Sequence, residues 1–282
     1  MIAVIDIGSN SVRLMLWADG KTILKRILTT RLGAGMKNRR LAKPSIERSA
    51  EAVSYLYSEA VRKGAEKVFA FATAAVRLAE NQDEFLSFVK ETSGLTVDVV
   101  SGETEARLAA LGALGKRDGI VIDVGGASSE VISVQNGETQ FAKSFPIGAV
   151  TLTERSLDQR ESAELLVKEN FSSLSCMSGK VHTVGGTATA LACLVLGLKE
   201  YDAKRVHNCF ISNRELNRLK DKLFSLSVEE RKVLIGMEES RADVIACGTC
   251  IISKIAENLS ADGIYVSDRD NLEGYLYARG IE

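Results

Sequence analysis

The chain has 282 residues, 45% hydrophobic and 26% charged, with 36 basic side chains against 37 acidic ones. That length suffices for one large domain or two medium ones, each with its own core. A net charge of −1 excludes a global field that would gather nucleic acid or an anionic membrane, so any anion site must be local.

The first strand signal is VIDIG, followed by a small-residue turn, a second strand through SVRLML and a third past the hairpin pair Asp19-Gly20. Helical periodicity over Ile46 to Lys63 precedes a short buried strand, KVFAFAT, at 67–73. A helix over Asp83 to Thr92, a strand at TVDVV and a helix over Glu103 to Leu114 follow. A second strand–turn–strand–hairpin then starts at Val121. Helices are predicted over Ser162 to Leu174, TATALACLVLGL, Asn213 to Phe224 and Ala242 to Asn258, with strands at VHTVGG and GIYVS and a closing helix from about Leu272. Strands alternating with helices in both halves predict α/β sheets with helices on their faces. No apolar run approaches the roughly 18 residues of a membrane span. The start MIAVIDIGSN lacks a basic segment and meets an acid at Asp6, so it does not read as a signal peptide. Five scattered cysteines fit reduced thiols and a cytoplasmic protein.

Two stretches align without a gap at an offset of 117 residues: VIDIGSNSVRLMLWADGKTILK from Val4 and VIDVGGASSEVISVQNGETQFAK from Val121. Asp6 falls on Asp123, Gly8 on Gly125, Ser11 on Ser128 and Gly20 on Gly137. The repeat predicts two related domains, 1–116 and 117–282, with the last helix free to pack back on the first. Each turn of small residues (Gly8, Ser9, Asn10, Ser11; Gly125, Gly126, Ala127, Ser128, Ser129) suits a phosphate, with backbone amides converging and serines adding donors. An acid beside a phosphate conflicts electrostatically unless a divalent cation lies between them. Mg²⁺, or another divalent ion, held on Asp6 and Asp123 together with phosphate oxygens resolves the conflict. A single such turn is commonly only a tight turn; two in matching repeats favour phosphate.

For moving a proton, the candidates are Glu103, Glu105 and Glu130. The first two lie in the first turn of a helix, where a capping box from Gly102 to Glu105 is the plainer reading. VGGTATALA, at 184–192, is either another anion turn at a helix start or a close-packed strand–helix turn. The basic run Lys37, Arg39, Arg40, with Arg31 upstream, either guides a polyanion or is a solvated loop. Cys247 and Cys250 read as small core residues at helical spacing. His182 and His207 receive no role.

Taken as a set, DIGSNSVRLML, RLGAG, FATAAVRLAEN, VSGETEARLAALGAL, VIDVGGASSE, FPIGAVTLTER, GGTATALA, ESRADVI and YVSDRDNLEG resemble the exopolyphosphatase / guanosine pentaphosphate phosphatase family of the actin–hexokinase–Hsp70 superfamily, over essentially the whole length. The resemblance implies two ribonuclease-H-like (actin-like ATPase) domains with mixed sheets flanked by helices, and an active site in the interdomain cleft. It implies that Glu105, before Ala106-Arg107-Leu108, is the general base on the attacking water, Glu130 the second active-site glutamate and a further metal or water ligand, Arg77 the active-site arginine, and Asp6 and Asp123 the acids of the phosphate loops. Partners so implied are inorganic polyphosphate or guanosine pentaphosphate, with neither nucleic acid nor membrane. A homodimer is compatible with the resemblance, although no interface stripe stands out.

The chain departs from the family pattern at Ala127, where a third glycine is usual, at Ser128-Ser129, and at DNLEG, which lacks an arginine. Long relatives continue into a helical region that deepens the channel, so a two-domain chain is expected to prefer short polyphosphate. Competing readings are hydrolysis of guanosine pentaphosphate, a superfamily kinase using ATP, and a non-enzymatic filament or sensing module.

Overall fold

The computed structural model describes residues 1–36 and 38–281. Lys37 of the basic run lies outside the described residues. The chain divides into two compact units, Met1–Glu105 with Asn271–Glu282, and Ala106–Asp270.

The first unit opens with β1 (Ile2–Ile7), β2 (Ser11–Ala18) and β3 (Lys21–Thr29), followed by α1 (Lys43–Arg62), β4 (Lys67–Ala72), a single turn α2 (Ala74–Arg77), α3 (Gln82–Ser93) and a two-residue β5 (Asp98–Val99). Its sheet has the order β3-β2-β1-β4-β5; β1 pairs antiparallel with β2 and parallel with β4. Odd-numbered Ala3, Ile5 and Ile7, with Val12, Leu14 and Leu16 opposite them, form one face and bury against α1 and α3 through Ile46, Val53, Leu56, Phe85 and Val89. The period of two in the strands and the apolar stripe of α1 meet in that core.

Helix α4 (Gly102–Leu114) carries the boundary between the units, and β6 (Gly119–Val124), β7 (Ser129–Gln135) and β8 (Glu138–Phe145) repeat the opening hairpins. Then come α5 (Ala149–Ser156), α6 (Arg160–Asn170), β9 (Val181–Val184), α7 (Gly185–Leu196), α8 (Ala203–Val206), β10 (Cys209–Ser212), α9 (Asn213–Ser225), α10 (Val228–Lys232), α11 (Ile245–Asn258), β11 (Gly263–Val266) and α12 (Asn271–Tyr277), the last within the first unit. The second sheet, β10-β11-β9-β6-β7-β8, has the same arrangement with one more edge strand. The two are ribonuclease-H-like mixed sheets flanked by helices.

The repeat extends to irregularities. Asp19-Gly20 and Asn136-Gly137 both have two successive positive φ angles, as the short hairpin turns require, and the register shifts at Leu16/Trp17 recur 117 residues on at Ser133/Val134. The short helices α2, α8 and α10, helix α5 and strand β10 escape the sequence reading. The strand β10 is only four residues long with Phe210 exposed, and α5 follows a glycine N-cap, Gly148. The helix expected from Ala242 starts at Ile245, after a 3₁₀ turn over Glu239–Arg241. Cys247 and Cys250 are buried in the second unit's core, where burial raises both thiols, Cys250 to about 12. Both therefore stay as neutral core residues at neutral pH.

His182, on β9, is buried beside the Tyr265 ring, at 5.6 Å between centroids. Burial first, and then the positive charges of Arg117 and Lys180, lower its pKa to about 4. Unfolding restores an ordinary imidazole near 6.5, so the unfolded chain takes up the proton first. Stability from neutral His182 is fully present above pH 6.5 and is lost as pH falls towards about 4. Denaturant titrations at pH 7 and pH 4 are expected to show about 2 kcal/mol of acid loss that the His182→Gln chain lacks.

Candidate active site

Both small-residue loops are held from behind by the same device. In the second unit, Gly125 N–H donates to the Ser128 carbonyl at 3.0 Å, closing the turn. The Gly125 carbonyl accepts from Ala149 N–H (2.8 Å), and the Gly126 carbonyl accepts from Val150 and Thr151 N–H (2.9 and 3.1 Å) at the start of α5. A trans peptide sets its C=O and N–H in opposite directions, and no cis bond occurs among the described residues. The Gly126 and Ala127 amides therefore point away from α5. Gly148 makes this approach possible, because a Cβ there would stand 2.5 Å from the Gly125 carbonyl oxygen. Ala127 has no positive φ, so an alanine is unstrained at this position of the loop.

In the first unit, Gly8 N–H donates to the Ser11 carbonyl at the same 3.0 Å. The Ser9 carbonyl is held by Gly33 N–H (2.8 Å), and the Asn10 carbonyl by Thr30 and Arg31 N–H (3.0 and 2.8 Å). RLGAG thus does for this loop what PIGAV does for the other, and it turns the Asn10 and Ser11 amides outward. Of the loop hydroxyls, Ser129 donates its proton to the Ile147 carbonyl at 2.7 Å. That proton props the loop and is unavailable to a ligand.

The acids differ between the units. Asp6 stands opposite Arg13 on β2, whose Nε donates to Asp6 Oδ2 at 3.0 Å while Nη2 reaches the same oxygen. At the matching place in the second unit, Asp123 stands opposite Glu130, both buried and projecting to one face. Ser144 Oγ donates to Glu130 Oε1 at 2.6 Å. Asp123 Oδ1 lies 2.8 Å from where a Cβ on Gly185 would stand, and Gly185 has φ +84°, so glycine is required at that turn on both counts. On the next glycine, Gly186, the Arg241 guanidinium occupies the space of a side chain, with Arg241 Nε donating to Glu238 at 2.9 Å. Like charges directly opposite in a sheet destabilise it unless a cation or proton mediates. Two carboxylates leaving further positions to phosphate oxygens and water suit Mg²⁺. Among the described residues no group of three or more His, Cys, Asp or Glu is placed to hold a metal.

Glu105 lies at the start of α4, yet it is not the cap. Ser101 is: its Oγ accepts from Thr104 N–H at 3.1 Å. The capping box expected from Gly102 fails because glycine has no side chain to accept, and Glu105, one position beyond the cap's partner, turns inward. Its carboxylate is 6% exposed and accepts from Arg77 Nη1 at 2.8 Å, while the same nitrogen donates to the Val100 carbonyl at 2.9 Å. Burial raises the Glu105 pKa; Arg77 and a hydrogen bond from Thr73 pull it down, and the charge of Asp6 pushes it up. Glu103 is exposed.

Arg13 is the site residue the sequence reading passes over. Its signal was present, since the offset of 117 puts Arg13 on Glu130. Of the basic run, Arg39 has φ +54° and donates Nε to the Leu78 carbonyl at 3.2 Å, an anchoring contact. In DNLEG, buried Glu273 accepts from Lys25 Nζ at 2.8 Å and from Thr22 Oγ1 at 3.0 Å. No described helix is long and apolar enough to cross a membrane.

The Ppx/GppA phosphatase family is matched over residues 11–279. Exopolyphosphatase 2 of Mycobacterium tuberculosis is 28% identical over 97% of this chain and 96% of its own length. Guanosine-5'-triphosphate,3'-diphosphate pyrophosphatase of Aeromonas salmonicida is also 28% identical, over 98% of this chain but only 59% of its own length. Among solved structures, the Aquifex aeolicus PPX-GPPA enzyme has a TM-score of 0.81 at 33% identity, covering 98% of both chains.

Proposed function

We infer that this chain, which belongs to the Ppx/GppA phosphatase family, is an exopolyphosphatase that removes the terminal phosphate of inorganic polyphosphate by attack of a water on its phosphorus. It is a hydrolase of phosphoanhydride bonds. The observation that carries the reading is Glu105: a buried carboxylate with a raised pKa, oriented by Arg77, in the unit that holds the Ser9–Ser11 loop.

The chemistry asks for a positioned water, a base for its proton and positive charge on the transferring group. Glu105 supplies the base, and burial keeps its proton affinity above that of an ordinary carboxylate. Arg77 holds that carboxylate in place through one nitrogen and has further donors on its fork for phosphate oxygens. The outward amides of Asn10, Ser11, Gly126 and Ala127, with the Ser9 and Ser128 hydroxyls, are the phosphate donors proposed in each unit. Asp123 and Glu130 would hold Mg²⁺, which when bound neutralises phosphate charge.

The second reading is guanosine pentaphosphate hydrolysis, favoured by the Aeromonas relative's name. Phosphate release from tripolyphosphate, a polyphosphate length series, guanosine pentaphosphate and ATP separates the readings. Release from polyphosphate with the highest kcat/KM on short chains is expected. Turnover confined to guanosine pentaphosphate would establish the second reading, and ADP formation only with an added acceptor would point to a kinase.

A further inference from the structure

Helix α12 belongs to the first unit and lies on the face of its sheet opposite α1 and α3. On β4, Ala70 and Ala72 join the core under α1 and α3, while Phe69 and Phe71 point the other way, as strand alternation requires. The Tyr275 ring stacks on Phe71 at 4.7 Å between centroids and meets Phe69 edge-on at 5.9 Å. Asp98 of β5 pairs in register with Phe71 and shares that face. The Tyr275 hydroxyl donates to Asp98 Oδ2, and Arg279 Nη2 donates to the same oxygen at 2.9 Å. Arg279 also lies over the Tyr275 ring, 3.6 Å from its centroid. Burial first, and then the neighbouring carboxylate, raise the Tyr275 pKa, so the hydroxyl keeps the proton it donates.

This clasp sits on a weak element that leads directly to the base. Strand β5 has only two residues, both exposed. Two positions beyond Asp98, the Val100 carbonyl accepts from Arg77 Nη1 at 2.9 Å, and the same nitrogen donates to Glu105 at 2.8 Å. One nitrogen bridges carbonyl and carboxylate, so a carbonyl that drifts draws the guanidinium away from Glu105. We propose that Tyr275 is a positioning residue for Glu105: its hydroxyl, supported by Arg279, fixes Asp98, hence the Val100 carbonyl, and hence the Arg77 nitrogen that orients the base. The proposal rests on the reading of Glu105 as general base and extends it to α12. Every member of the relay belongs to the first unit. The Arg279–Asp98 ion pair is partly exposed and contributes little by itself. The Tyr275 ring, 1% exposed, supplies the rigidity. A misplacement of about 1 Å at a reacting group can cost about 10² in rate, so a clasp remote from the chemistry is felt in turnover.

The test is the acid limb of kcat/KM for phosphate release from tripolyphosphate. Tyr275→Phe keeps the stacked ring and every charge and removes only the hydroxyl. Arg77 pulls the Glu105 pKa down, so loosening Arg77 should move the limb up. A rise of about half a pH unit with kcat about tenfold lower is expected. Asp98→Ala should move the limb the same way. A pure charge effect has the opposite sign, because removing a negative charge lowers the pKa of a neighbouring carboxyl. Neither change should move the limb further in an Arg77→Met chain, since both act through that side chain. A stationary limb in Tyr275→Phe, a downward shift in Asp98→Ala, or shifts that add to that of Arg77→Met would overturn the proposal and leave Glu105 as the base. An Arg77→Met chain whose limb stays in place would remove the base reading, and the proposal with it. Should circular dichroism show Asp98→Ala unfolded, Tyr275→Phe and its combination with Arg77→Met decide.

Discussion

Replacing Glu105 by Gln is expected to lower kcat for phosphate release by about 10² or more at saturating Mg²⁺, with the far-ultraviolet spectrum unchanged. Glutamine keeps the size of the side chain and an oxygen for Arg77 Nη1, so the loss isolates the base rather than the packing. The same carboxyl sets a pH dependence. Its pKa is raised by burial, so the acid limb of kcat/KM should lie above the ordinary glutamate value near 4.3. Arg77 opposes that rise, so Arg77→Met should move the limb further up, and Glu105 should require a higher pH to work as a base. Turnover near wild type in Glu105→Gln, or an acid limb that Arg77→Met leaves in place, would remove Glu105 from the role assigned to it.

The second large effect is expected at the Asp123–Glu130 pair. Asp123→Asn and Glu130→Gln each delete one of two opposed charges that are proposed to hold the cation. Both should raise the Mg²⁺ concentration for half-maximal rate at least tenfold and cut kcat/KM by 10² or so, of the size seen when a catalytic electrostatic contact is removed. Stability should move the other way: easing like-charge opposition in a buried ladder pair should raise the metal-free midpoint of denaturation. An unchanged Mg²⁺ requirement with a lowered midpoint would make the pair structural.

Much of this was legible because the chain writes its hairpin twice. A lone VIDVGGASSE is a turn; beside VIDIGSNSV it predicts matching loops, and the coordinates extend the match to hairpin φ angles, register shifts and the 3.0 Å turn bonds at Gly8 and Gly125. What stayed hidden depends on contacts between residues far apart in sequence. That PIGAV pins the Gly125 and Gly126 carbonyls, or that Arg241 fills the space over Gly186, follows from no local pattern. Glu105 looked like a cap because capping is judged by spacing; one residue of offset, Ser101 rather than Gly102, sends the carboxylate inward. Arg13 sat in an alternating strand where an arginine is unremarked, and its meaning appears only against Glu130.

The most direct measurement is isotopic. Tripolyphosphate turned over once by the purified chain with Mg²⁺ in ¹⁸O-water should give orthophosphate carrying one ¹⁸O and unlabelled pyrophosphate, because water attacks the terminal phosphorus. Label in the pyrophosphate, or no orthophosphate at all without an acceptor, would contradict the account.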